Sequence, residues 1–232
     1  MTLPMPTRYI LGLDLGKISD HTALAICEER PESVKEDGPR AVLIPRWSDD
    51  PDYAVPWLER WPLQTAYHHI AAAIENLVAE LVARPRAEVR LFVDATGVGG
   101  AVIEMLAAQP AIKTLGLDAV TITAGHETTS GREGGHRTWH VPKKELVGAA
   151  QVALQRGKLK VAAGLPEAAT LTAELRTFEA RITEAAHMQF SHREGAHDDL
   201  VLAVALGLWG ARQRRPGIPP PPPPAVAIRR RY

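Results

Sequence analysis

Gly195-Ala196-His197-Asp198-Asp199-Leu200-Val201-Leu202-Ala203-Val204-Ala205-Leu206 places two adjacent carboxylates at the mouth of an apolar, Ala/Leu-rich segment. A segment with no polar face predicts a buried helix, here running to about residue 211. Asp is a poor interior helix residue but a good N-cap, because its side chain accepts a hydrogen bond from a first-turn N–H. Capping accounts for one aspartate of the pair. The other is unexplained, since ionised carboxylates beside a buried helix are costly unless paired or bound to a metal ion.

Two more carboxylates end apolar strands upstream. Residues 8–15, centred on Tyr9-Ile10-Leu11-Gly12-Leu13-Asp14, alternate as a strand, with Gly16 after the aspartate. Residues 88–93 form another strand, ending in Asp94. Around them, 22–27 read as a second strand, and the turn Asp37-Gly38-Pro39 leads to a third over 41–44. Short turns make these three an antiparallel meander. Residues 48–62, rich in Asp, Pro and Trp, read as an ordered loop whose tryptophans pack on the body. Residues 66–83 are a helix with Ile70, Ile74, Leu77, Leu81 and Val82 on one stripe, ended by Pro85.

Thr96-Gly97-Val98-Gly99-Gly100 turns the chain into a helix reaching about Gln109, and 118–123 are a strand. Residues 125–140 hold four glycines, three histidines and two arginines without apolar periodicity, and read as a long loop. Pro142 opens an amphipathic helix over 143–154. A short strand over 158–161, a helix over 167–178 and one or two strands over 181–191 precede the Asp-Asp helix.

Composition sets the outer limits. With 45% hydrophobic and 23% charged residues the 232-residue chain is ordinary globular material. We expect one domain over 1–211 and a disordered Pro/Arg-rich tail over 212–232, where six consecutive prolines favour an extended rod. The tail holds six arginines and no acid, so the formally neutral chain has a body six charges negative. Cys27 cannot form an internal disulfide and reads as a buried thiol in a reduced compartment. There is no signal-peptide layout and no apolar run near the ~20 residues a membrane span needs. We expect a cytoplasmic protein without a membrane partner.

The element order matches an α/β, RNase H-like domain: a mixed central sheet, with an antiparallel meander of three strands plus parallel strands, flanked by helices. In that fold the first and fourth strands are central, parallel neighbours, and their carboxyl ends form the ligand-binding side. Asp14 and Asp94 would meet there, with Asp198 or Asp199 presented to the same point. Converging carboxylates repel unless neutralised, and hard oxygen donors suit Mg²⁺ or Mn²⁺. Two such ions about 3.5–4 Å apart hydrolyse phosphodiesters without a dedicated general base.

Leu11-Gly12-Leu13-Asp14-Leu15-Gly16-Lys17 with Asp20, Val93-Asp94-Ala95-Thr96-Gly97-Val98-Gly99, Val141-Pro142-Lys143 and His197-Asp198-Asp199-Leu200-Val201 occur in order. The set resembles the nuclease domain of the large terminase subunit of tailed bacteriophages, which cuts concatemeric DNA during packaging. The resemblance spans about residues 8–211. It implies a metal-dependent endonuclease, phage or prophage encoded, acting on double-stranded DNA in the host cytoplasm. It also implies that Asp14, Asp94, Asp198 and Asp199 stand where the family's metal ligands and catalytic carboxylates stand.

Adjacent helical residues point about 100° apart, so we expect Asp199 to ligate and Asp198 to cap or support. His197 and Asp20 are candidates to orient ion-bound water or brace a ligand. Arg132, Arg137, Lys143 and Lys144 are candidate DNA contacts around the glycine-rich loop. Complete large terminases carry an ATPase motor ahead of the nuclease. Here few residues precede the first strand, and Gly12-Leu13-Asp14-Leu15-Gly16-Lys17 falls short of a phosphate loop. We therefore expect a separate packaging ATPase, small terminase subunit or portal as partner. The rival readings are a Holliday-junction resolvase with the same carboxylates, an actin-like ATPase, and a non-catalytic assembly module docked through the tail.

Overall fold

The computed structural model describes residues 6–16, 20–35, 43–185 and 198–213, excepting the side chains at 33–35, 43–46 and 178–185. Its centre is an eight-stranded mixed sheet. In chain order the strands are β1 (Thr7–Asp14), β2 (Ala23–Glu29), β5 (Tyr53–Arg60), β6 (Ala87–Asp94), β7 (Leu117–Thr123), β8 (Thr129–Glu133), β9 (His136–Pro142) and β10 (Leu159–Val161). They lie in the order β10-β5-β2-β1-β6-β7-β9-β8. A separate two-stranded sheet pairs β3 (Glu32–Lys35) with β4 (Leu43–Arg46).

The helices are α1 (Tyr67–Val82), α2 (Gly100–Ala107), α3 (Pro110–Leu115), α4 (Lys143–Gln155), α5 (Ala168–Ala185) and α6 (Asp199–Arg212). Helices α1, α2 and α3 cover one face through Ile70, Ile74, Val78, Ile103, Leu106 and Ile112, packed on Leu11, Leu13, Leu91 and Val93. Helices α4, α5 and α6 cover the other, packed with Ile10, Ala25, Cys27 and Phe92. Alternation along β1 and β6 therefore sends odd-numbered apolar residues one way and Ile10, Gly12, Asp14, Arg90, Phe92 and Asp94 the other. Both aspartates face the α6 side.

The expected three-stranded meander is present, but its third strand is β5. Of the stretch expected as the third strand, Leu43 and Ile44 belong instead to β4 of the small sheet, and residues 41–42 lie outside the described residues. The stretch read as a loop over 48–62 hides β5 because Pro56 sits in it. Proline is tolerated here at a bulge: Glu28 pairs with Ala54 and Ile26 with Trp57, so Val55 and Pro56 stand opposite Cys27 alone. Of its tryptophans, Trp61 is buried while Trp57 is 44% exposed.

The expected loop over 125–140 is largely a hairpin, β8–β9. Gly134 and Gly135 form its two-residue turn, both at positive φ (56° and 86°). Residues 181–185, expected to open a strand, continue α5, and 186–197 lie outside the described residues. So does the tail from 214 onward. No helix among the described residues is long and apolar enough to cross a membrane.

Candidate metal centre

Helix α6 is buried on almost every side, from Asp199 to Gly210. Glycine lets it lie directly on the sheet. A Cβ at Gly12 would stand 2.0 Å from the Ala203 carbonyl oxygen and 2.7 Å from the Gly207 nitrogen. A Cβ at Gly207 would meet Cys27 Sγ at 2.7 Å, and one at Gly210 the Phe92 ring at 2.3 Å. Ala203 and Gly207 thus bracket Gly12, while Gly207 also borders Ile10, so α6 runs antiparallel to β1. Asp199 is one helical turn before Ala203 and on the same face. Asp14 is two residues beyond Gly12 on the same face of β1. The backbone approach delivers Asp199 to Asp14.

Asp94 arrives by the parallel pairing of β1 with β6, whose register runs through Leu13–Val93. Asp14 and Asp94 follow that pair on neighbouring strands, close enough for each carboxyl group to shift the other's titration. Burial pushes the Asp14 pKa well up, and repulsion from Asp94, Asp199 and Asp198 pushes it further. Burial also raises Asp94, against the opposing pull of Thr96, Asp14 and Lys143. The Thr96 N–H donates to Asp94 Oδ1 at 2.7 Å, and Thr96 Oγ1 accepts the Ile122 N–H at 2.8 Å, fixing that carboxylate to β7.

The adjacent aspartates of α6 divide. Asp199 is 5% exposed, with its Oδ2 3.6 Å from Arg60 Nε of β5. Asp198 is more open and makes no side-chain cap, contrary to the capping expectation. Its Oδ2 lies 4.0 Å from Lys143 Nζ. Asp20 is exposed on the bend before β2, and His197 lies outside the described residues.

The candidate DNA-contacting residues also divide. Lys143 sits among the carboxylates, Lys144 Nζ approaches His126 Nδ1 at 3.3 Å, and Arg132 is exposed on β8. Arg137 is spent on Asp118, 3.8 Å away, and on the Trp139 ring. A concavity lined by Glu28, Arg30, Asp52, Lys158 and Lys160 at the β5–β10 edge contains none of the four aspartates.

Sequence reading missed Arg60 and Glu174. Glu174 of α5 is 8% exposed, and its Oε2 accepts the N–H groups of Leu200 and Val201 at 3.0 and 3.2 Å. Burial, opposed by the Val201 N–H and reinforced by Asp199, pushes its pKa up to about 7. No motif marks either residue, because each reaches the site from a distant element.

Among the described residues no three His, Cys, Asp or Glu side chains stand as a ready-made ion-holding group. Asp14 and Asp94 lean on each other, and Asp199 on Arg60. The donor set nonetheless fits a hard divalent cation: it is all carboxylate oxygen, buried, and destabilised by its own charge.

The fold has known counterparts. The large terminase nuclease from thermophilic phage G20c matches 87% of this chain and 81% of its own, at 19% identity and TM-score 0.50. A human cytomegalovirus terminase nuclease domain, Mn soaked and inhibitor bound, matches 89% and 84%, at 12% identity and TM-score 0.53. No family model matches the sequence, and no curated protein does either. The chain has the RNase H-like fold of terminase nuclease domains.

Proposed function

We propose that this protein is a divalent-metal-dependent endonuclease of double-stranded DNA, of the kind that cuts concatemeric phage DNA for packaging. The convergence of Asp14, Asp94 and Asp199 at the carboxyl ends of β1 and β6 and the start of α6 carries the reading. The shared fold with terminase nucleases, one of them soaked with Mn, supports it. Asp14, Asp94 and Asp199 would hold Mg²⁺ or Mn²⁺. Such an ion supplies Lewis-acid stabilisation of the phosphodiester and an acidified water at neutral pH.

The chain's own residues do the rest. Thr96 keeps the Asp94 carboxylate turned to the site. Arg60 offsets the charge of Asp199. Lys143, beside Asp198 and felt by Asp94, offers an ammonium to a DNA phosphate at the cleavage point. Lys144 and Arg132 extend that positive side outward, while Arg137 braces Asp118. A separate packaging ATPase, with a small terminase subunit or portal, would bring the DNA.

Plasmid cleavage tests the reading, with Mg²⁺, Mn²⁺ or EDTA and with Asp94→Asn alongside. Nicking or linearisation that needs metal and is lost in Asp94→Asn is expected. Calorimetry with Mn²⁺ counts the ions, and two per chain is the expected number. Equal cleavage by the variant would refute the assignment. A preference for four-way junctions over linear duplex would move the reading to a junction resolvase.

A further inference from the structure

A buried helix start leaves first-turn N–H groups that need acceptors. In α6 the residue before the helix does not help, since Asp198 makes no side-chain cap. The acceptor comes from another helix: Glu174 Oε2 takes the Leu200 and Val201 N–H groups, 26 and 27 positions away. A buried carboxylate is an expensive way to cap a helix, because desolvating its charge costs more than a serine or aspartate at the N-cap would. Its Oε1 has no hydrogen-bond partner among the described residues. Glu174 does something a local cap would not.

The Leu200 nitrogen belongs to the peptide unit that follows Asp199. Holding it fixes the backbone torsion on the carboxyl side of Asp199, and holding Val201 fixes the next peptide plane. Arg60 then takes Asp199 Oδ2 from the β5 side. We infer that Glu174 is a positioning residue, setting the rotation and depth of the α6 start so that Asp199 faces Asp14 and Asp94. Three elements distant in sequence, β5, α5 and α6, thereby agree on where one carboxylate points. The inference rests on the nuclease reading, because it assigns Glu174 a task in holding the ion.

The test compares Glu174→Ala, Glu174→Gln and Glu174→Asp with the wild type. Mn²⁺ titration by calorimetry, thermal melts in EDTA and hydrogen exchange at the Leu200 and Val201 amides are the readouts. Glutamine keeps an oxygen that can accept both N–H groups, so it should hold Mn²⁺ affinity within about threefold of wild type. Alanine should lose tenfold or more, with both amides exchanging faster. Aspartate, one methylene shorter, should fold yet behave like alanine, which keeps the test decisive if alanine does not fold. Wild-type affinity and amide protection in folded Glu174→Ala or Glu174→Asp would overturn the inference. So would Glu174→Gln binding as poorly as Glu174→Ala, because charge rather than hydrogen bonding would then be at work. A wild type that binds no Mn²⁺ overturns the nuclease reading and takes the inference with it. Wild-type binding with unaffected variants overturns the inference alone.

Discussion

Gly12→Ala strikes the contact on which the site depends. The added methyl would lie 2.0 Å from the Ala203 carbonyl oxygen and 2.7 Å from the Gly207 nitrogen. Comfortable C···O contacts begin near ~3.3 Å, so helix and strand must part by about 1 Å. Both obstructing atoms are backbone in a buried helix, and no rotamer change relieves them. Overpacking costs about 1–3 kcal/mol, and a backbone clash belongs at the upper end. For a domain of this size, about 3 kcal/mol lowers Tm by roughly 6–12 °C. The same displacement draws Asp199 away from Asp14, and misplacing a catalytic group by 1 Å costs on the order of 100-fold in rate. Thermal melts and plasmid cleavage at 25 °C, where the variant remains folded, measure the two effects separately. Gly148→Ala is the control: nothing lies within 4 Å of its added Cβ, so this mid-helix change should stabilise by about 0.5–1 kcal/mol. Wild-type Tm and cleavage in Gly12→Ala would refute the close docking of α6 on β1.

Asp14→Asn should abolish Mn²⁺ binding yet raise the Tm in EDTA by a few degrees, because it removes the most strained carboxylate. Asp14 is raised in the folded state, so its contribution is present below its ordinary value of 3.8 and is lost as pH rises through the folded value. The variant's advantage in EDTA should therefore widen with pH, and a melt series from pH 4 to 8 checks the sign. Lys143→Ala/Lys144→Ala should weaken duplex binding and flatten the salt slope by about 2 units on log–log axes, read by fluorescence anisotropy. Cys27, pushed up to about 12 by burial beneath α6, should resist thiol reagents at pH 8 until the protein opens. Faster labelling in Gly12→Ala than in Gly148→Ala would trace that opening to α6.

The legible parts of the chain were those with local periodicity or a motif. β1, β6, α1 and α6 announce themselves by apolar pattern, and the aspartates by interrupting it. β5 was hidden because Pro56 breaks the strand pattern, and only the partner strand makes the bulge that accepts it. The β8–β9 hairpin was overlooked although Gly134-Gly135 is a turn signal, because Thr, Arg and Gly outweigh apolar residues around it. Helical spacing says that Asp198 and Asp199 point apart, and the expectation that Asp199 ligates rests on that alone. Which of them turns inward is set by Ala203, on Gly12, which fixes the face of α6 that meets the sheet. Glu174 and Arg60 carry no local signature at all, since their partners are chosen by packing.

That α6 follows β1 and β6 in the chain has a consequence for synthesis. β1 and β6, with Asp14 and Asp94, leave the ribosome first, at about 5–20 residues per second. Until α6 follows, Ile10, Gly12, Cys27 and Phe92 lack the helix that lies directly on them, and the third carboxylate is missing. A nascent or prematurely ended chain thus carries two of the acids but neither the complete cluster nor a closed core. Quality control would meet it as a sticky intermediate with an incomplete carboxylate cluster.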